Sequence, residues 1–192
     1  GPRGAACLIA RPRLPCRIAS ASAEVTGVSR AKATYSRCRL GAGAVGSITT
    51  TELTHATPAS TFAHACDRDA VYSIAAQVVP GGAGYNTALK DGVDVLMGGG
   101  RNHFTPYDKA RNPKGRADGR DMMAEFAARG YTVAIDRNGM QAAPLARKFI
   151  GIYSADTHLD FELTRRPEQP SLAEMTRKAI DLLAHDPDGF FL

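Results

Sequence analysis

No stretch of this 192-residue chain approaches the ~20 consecutive apolar residues that a membrane-spanning helix requires, so the sequence contains no membrane span. Acids are almost missing from its first part. Residues 1–44 hold Arg3, Arg11, Arg13, Arg17, Arg30, Lys32, Arg37 and Arg39 against Glu24 alone, a balance of +7 that leaves −2 on the rest of a chain whose net charge is +5. Aromatics are equally scarce there, Tyr35 being the only one. A nucleic-acid face needs basic residues ordered on one side or interleaved with aromatics, so this composition excludes nucleic acid as a partner. Cys7, Cys16 and Cys38 are spaced by nine and twenty-two residues, which fits neither a zinc nor a redox pattern and leaves the compartment open.

The apolar run CLIA is too short for a secretory signal. An Arg-rich, Ser-containing, acid-poor start suits a transit peptide; it equally suits GC-rich DNA read in the wrong frame, because Ala, Arg, Gly, Pro and Cys crowd in without period. Residues 1–44 are therefore expected to be a basic segment, poorly ordered or non-native, with at most a short helix near residues 21–32. With 44% hydrophobic and 22% charged residues, the remainder has the material for one globular domain or a large piece of one.

From Val45 the pattern changes. VGSITT (45–50) predicts a β-branched strand, and Thr57 before Pro58 predicts an N-cap with proline at the first helical position, the helix running to about residue 65. GVDVLMGGG predicts a compact strand over 93–97 that ends in Gly98, Gly99 and Gly100. RDMMAEFAARG places Met122, Met123, Phe126 and Ala127 at helical spacing, closes on Gly130 and leads into the strand YTVAI. KFIGIY (148–153) reads as a further strand. SLAEMTRKAIDLLAHDPDG opens with Ser171 and Glu174 in capping-box spacing, and FFL starts one more strand. Residues 102–119, polar and rich in Gly, Pro and Arg, predict a long surface loop. Strands alternating with helices imply an α/β fold, a mainly parallel sheet flanked by helices, and a sequence that stops on a strand implies an incomplete one.

In such sheets ligands collect beyond the carboxyl ends of strands. The loop after VGSITT lies at such an end, and it carries His55, Thr57 and Arg68. Each has an ordinary structural reading on its own: a helix cap for Thr57, a surface or core residue for His55, a partner of Asp67 or Asp69 for Arg68.

Taken together, GSITTTELTHATPASTFAHACDRD, VDVLMGGGRNHF and SLAEMTRKAIDLLAHDPDGFFL resemble three ordered blocks of the alkaline phosphatases, over residues 45–192. The resemblance implies a partial alkaline-phosphatase-like α/β domain. It implies phosphomonoester hydrolysis through a phosphoserine intermediate, with zinc and magnesium as cofactors and a small-molecule phosphomonoester as substrate. Thr57 matches the threonine whose hydroxyl meets magnesium, and His55 falls beside that magnesium, directly or one shell out. A neutral imidazole there shifts the preference toward zinc or cobalt. Arg68 matches the arginine that grips the substrate phosphate, its planar fork holding two oxygens at once. The glycine block matches a structural element without a catalytic role.

The departures are equally specific. The family's Asp-Ser nucleophile pair and its first metal-binding aspartate lie upstream, yet residues 1–44 contain no aspartate. The zinc ligands and the other magnesium ligands follow the FFL strand, so they are not present in this chain, which is expected to be a fragment, inactive alone. Ser154 stands where animal members carry a calcium-binding glutamate, so calcium is not expected. The family is typically periplasmic or secreted, but no export signal is visible, and a homodimer is the family's expectation for the full-length protein. Two other readings compete: a non-catalytic module that binds phosphate or a partner protein, and another metal-dependent phosphatase or sulfatase of the wider superfamily, against which HATPA argues.

Overall fold

The computed structural model of the chain describes Cys38, Gly41 and residues 43–192, and the expectations for residues 1–44, including the helix near 21–32, lie almost wholly outside the described residues. Five strands form one sheet in the order β3-β4-β2-β1-β5, every neighbouring pair parallel. They are β1 (Ala44–Glu52), β2 (Val95–Gly99), β3 (Thr132–Ala134), β4 (Phe149–Ile152) and β5 (Phe190–Phe191). All five were expected. β1 runs two residues beyond the β-branched run, and β2 lies two residues later than the apolar pattern placed it, because the glycines at 98 and 99 continue the strand.

A parallel sheet must be covered on both faces, since each crossover lays chain over it. Side-chain alternation supplies the two faces. Val95, Met97 and Phe149 point into one core with Met140, Met175, Ala179, Leu182 and Leu183, whereas Leu96, Ile150 and Ile152 point into the other with Phe62, Ile74, Phe104, Met122 and Phe126. The second core is closed by helices α2 (Val71–Ala76) and α3 (Met122–Ala128), the first by α4 (Arg137–Ala142) and α5 (Leu172–Leu183). A short helix α1 (Ala56–Ala59) follows β1. Among the described residues no helix is long and apolar enough to cross a membrane.

Helix α5 shows how local sequence fixes an element. The Ser171 hydroxyl accepts from the Glu174 backbone N–H at 3.1 Å and Glu174 Oε2 accepts from the Ser171 N–H at 2.9 Å, which is the capping box the spacing predicted. Arg137 donates to Glu174 Oε1 from Nε at 2.8 Å, tying α4 to α5. Burial pushes the Glu174 carboxyl up, but the Ser171 N–H, the Arg137 guanidinium and the Ser171 hydroxyl outweigh it and hold the group down at about 2, against an ordinary 4.5. A carboxyl depressed in the folded state adds stability that is whole above about pH 4.5 and drains away as pH falls toward 2. Glu174→Gln is thus expected to cost about 1 kcal/mol at neutral pH. Urea midpoints measured from pH 7 to pH 2 should show that deficit closing between pH 4.5 and 2, and a deficit constant with pH would refute the assignment.

Candidate active site

The site is built at the carboxyl ends of β1, β2 and β4. β2 ends in Gly98 and Gly99, with Gly100 just beyond, and another segment crosses it at Gly99. A Cβ on Gly99 would lie 2.2 Å from the Thr157 carbonyl oxygen, and Gly100 takes φ +81 to start the 3-10 turn Arg101–Phe104. Residues 154–159 use that space. Arg101 N donates to Ser154 O at 2.9 Å, Asn102 N to Ala155 O at 2.8 Å, and Leu159 N to Thr50 O at 2.8 Å. The segment that follows β4 is thereby laid across the ends of β2 and β1. It sets the His158 ring edge-on to His55, with centroids 5.7 Å apart and planes at 85°.

His55 is the N-cap of α1, in extended conformation at φ −62 and ψ 148, and this corrects the expected cap at Thr57. Thr57 is instead the second helical residue and Pro58 the third, both in a first turn whose N–H groups have no helical partner, so proline costs nothing there. The helix stops at Ala59, well short of residue 65. Thr61 Oγ1 donates back to Pro58 O at 2.7 Å, and the fully buried Phe62 and largely buried Ala63 turn the chain into the core. His64 N donates to Gln77 Oε1 at 2.8 Å, after which residues 64–69 run along the surface.

That early turn brings Arg68 back. Its Nη2 lies 3.2 Å from His55 Nε2, although thirteen residues separate them, while the Thr57 side chain is exposed two residues beyond His55. The structure therefore brings Arg68 back to His55 at the end of β1, with Thr57 two residues further along the chain. It does not orient Arg68 through a carboxylate as expected: Asp67 Oδ1 accepts from the Asp69 backbone N–H at 2.9 Å, and the guanidinium turns to the imidazole.

Two residues escaped the sequence reading. His158 was visible only as a histidine shortly after a predicted strand end, the same rule that picked out His55. His103 lies beneath the site. Its Nδ1 is 2.8 Å from the hydroxyl of the fully buried Thr54, its ring meets Tyr72 edge-on, and Glu52 Oε2 is 3.8 Å away. Burial pushes its imidazole pKa down, Glu52 and Asp156 pull it up, and Arg116 adds a smaller push downward. Through Thr54 it braces the residue directly before His55. Among the described residues no cluster of three or more His, Cys, Asp or Glu could hold a metal ion.

The chain has known counterparts. The alkaline phosphatase family profile matches residues 21–192, starting upstream of Val45, where the motif resemblance begins. Alkaline phosphatase 3 of Bacillus subtilis is 34% identical over 167 residues, which is 85% of this chain and 32% of the relative. The crystal structure of Thermus thermophilus alkaline phosphatase superposes with a TM-score of 0.65 at 35% identity, covering 80% of this chain and 29% of that one. A mutant alkaline phosphatase of the Antarctic bacterium TAB5, solved with Mg bound, shares the fold at a TM-score of 0.51 and 23% identity, over 80% of this chain and 38% of that one. The chain spans about a third of the length of these relatives. With the profile matched from residue 21 through the last residue and the fold superposing on that of a solved alkaline phosphatase, the chain belongs to the alkaline phosphatase family.

Proposed function

We propose that this chain serves phosphomonoester hydrolysis, with Arg68 as the clamp on the substrate phosphate and His55 with Thr57 at a cation position beside it. The observation that carries this reading is the return of an exposed Arg68 to His55 at the carboxyl end of β1, which puts a phosphate-gripping fork next to an imidazole, with the exposed Thr57 two residues further along. The membership of the family supports the same activity.

An accessory cation would find only part of a ligand set here, since among the described residues no group of three or more His, Cys, Asp or Glu could hold a metal ion. His55 Nδ1 is buried without a hydrogen-bond partner, so the ring's serviceable lone pair faces outward at Nε2, and the Thr57 hydroxyl offers an oxygen of the kind magnesium favours. One imidazole and one hydroxyl are a partial set, to be completed by other ligands or water. The imidazole biases the position toward zinc or cobalt relative to a carboxylate. When bound, the cation supplies positive charge against the negative charge of the reacting phosphate. Arg68 meanwhile holds two phosphate oxygens in a fixed plane, which orients the ester. The phosphoserine step and the zinc pair belong to the family's chemistry.

Binding of inorganic phosphate tests the reading directly. Calorimetry should detect weak binding that Arg68→Ala reduces about 10- to 100-fold and Arg68→Lys only partly restores, since a charged hydrogen bond contributes about 1.5–3 kcal/mol. p-Nitrophenyl phosphate with zinc and magnesium should not be turned over by this chain alone. Phosphate binding indifferent to Arg68 would sink the clamp.

A further inference from the structure

Arg101 carries a charge that the fold leaves unmatched. Its Nη1 donates to Ile152 O at 3.1 Å and to Ile135 O at 3.3 Å, which anchors the half-buried head where β4 and β3 end. Among the described residues no carboxylate pairs with it, and the N–H groups at Nε and Nη2 have no acceptor. Burial pushes its pKa down and the charge of Asp136 draws it back up. Two buried neighbours share the shortage. Ser154 is 7% exposed and its hydroxyl has no partner among the described residues. Gln169 is 3% exposed; its Oε1 accepts from the Asp160 N–H at 2.8 Å, while its Nε2 donates to nothing among the described residues. Neither Ser154 Oγ nor Gln169 Nε2 is sealed in the core. Arg101, Ser154 and Gln169 line one recess of about 510 Å³, a size that suits a small molecule. Polar groups buried to this degree are ordinarily answered by a hydrogen bond.

The surrounding charges narrow what would answer them. Asp160 is held by Arg166 Nε at 2.7 Å, and Asp156 by Lys114 Nζ at 2.6 Å. That leaves Arg101 as the unpaired cation of the recess and Glu168 as a further carboxylate on its lining. One positive charge faced by a negative one suits a single anionic charge and repels a dianion such as phosphate. The planar fork of a guanidinium matches two oxygens in one plane, the shape of a carboxylate. We infer that the recess lined by Arg101, Ser154 and Gln169 binds a small organic carboxylate, which takes its charge pair from the Arg101 fork and neutral hydrogen bonds from the Ser154 hydroxyl and the Gln169 amide. The site adjoins the one at His55, because His158 lines the recess and packs its ring on that of His55, but it shares no ligating group with Arg68. It stands independently of the phosphate clamp.

The probe is lactate, titrated into the full chain and followed through the backbone amide of Ser154 and the side-chain amide of Gln169 in nitrogen-15 spectra. Both signals should move together and saturate in the millimolar range, whereas acetamide, which lacks the charge, should leave them in place. Inorganic phosphate should bind there at least about tenfold more weakly than lactate. Ser154→Ala removes a hydroxyl that holds nothing else, so the fold should be unchanged and lactate about tenfold weaker. Gln169→Glu keeps an acceptor for the Asp160 N–H and turns the donor into a carboxylate, which should abolish binding. Arg101→Lys keeps the charge without the fork and should lose about tenfold. Arg68→Ala should bind lactate as wild type does, whether or not Arg68 holds phosphate. No saturable shift with lactate, equal binding of acetamide or phosphate, wild-type affinity in Ser154→Ala, or retained binding in Gln169→Glu would each overturn the site. Loss of lactate binding in Arg68→Ala would overturn it as well, by placing the carboxylate on Arg68.

Discussion

Replacing Asp94 with alanine is expected to lower stability by about 3–5 kcal/mol, enough to unfold much of the population at physiological temperature. The carboxylate is completely buried where three strands begin. Its Oδ2 accepts from the Val45 N–H of β1 at 2.8 Å, and Lys148 Nζ, next to β4, stands 3.1 Å from Oδ1. The backbone of the same residue donates to Val45 O at 2.9 Å and accepts from Phe149 N at 2.8 Å. Alanine would orphan the Val45 N–H and weaken the pairing of a lysine that is only 14% exposed. Asp94→Asn keeps an acceptor for Val45 and should lose clearly less. Guanidinium unfolding decides the matter, and a loss below about 1 kcal/mol for alanine would show that Asp94 is not the knot described.

Arg116→Met is the second large effect expected, about 3 kcal/mol or more, concentrated in one loop. The 102–119 segment was expected as a polar surface insertion, yet Arg116 within it is 4% exposed. Its guanidinium forks onto Asp118 and donates from Nη1 to Tyr72 O at 2.8 Å and His103 O at 3.1 Å, while its backbone N–H donates to Thr105 O at 2.8 Å. The loop is wrapped around its own arginine and pinned to α2. Methionine keeps the length and loses every side-chain donor, so the carbonyls of Tyr72 and His103 lose a partner. Hydrogen exchange should quicken across residues 105–119 and around His103 while the Val95–Gly99 strand stays protected. Unchanged protection in the loop would refute the pinning.

The strands were legible because buried parallel strands are short apolar runs bounded by glycine and polar residues, and α5 because a capping box and an amphipathic stripe agree. α2 and α4 were not. Val71–Ala76 starts at Ala70, which has no side-chain cap, and Arg137–Ala142 contains Asn138 and Gly139, poor helix formers held by the Asp136 side chain on Gly139 N and by packing of Met140. The closeness of Arg68 to His55 was legible because both lie within one local segment after a strand. The closeness of His158 was not, since only the hydrogen bonds of residues 154–159 across two strand ends bring it to His55. The cap was misplaced because Thr-Pro is compatible with two helical registers, and the turn after Ala59 that selects one depends on burying Phe62.

The strand order has a consequence in time as well as in space. β1 sits between β2 and β5, so the first of the five described strands waits for partners made much later, Val95 on one side and Phe190 on the other. Each pairing must close a long stretch of flexible chain before any of its contacts stabilise it, and closure entropy is lost in advance of the return. A nascent chain on the ribosome therefore carries an apolar, unpaired β1 until Val95 has emerged, and half of its edge remains open until Phe190 follows. Assembly should proceed from β2 outward, with β1 and β4 joining through Asp94 and β5 docking last, behind the helix whose capping box has already formed.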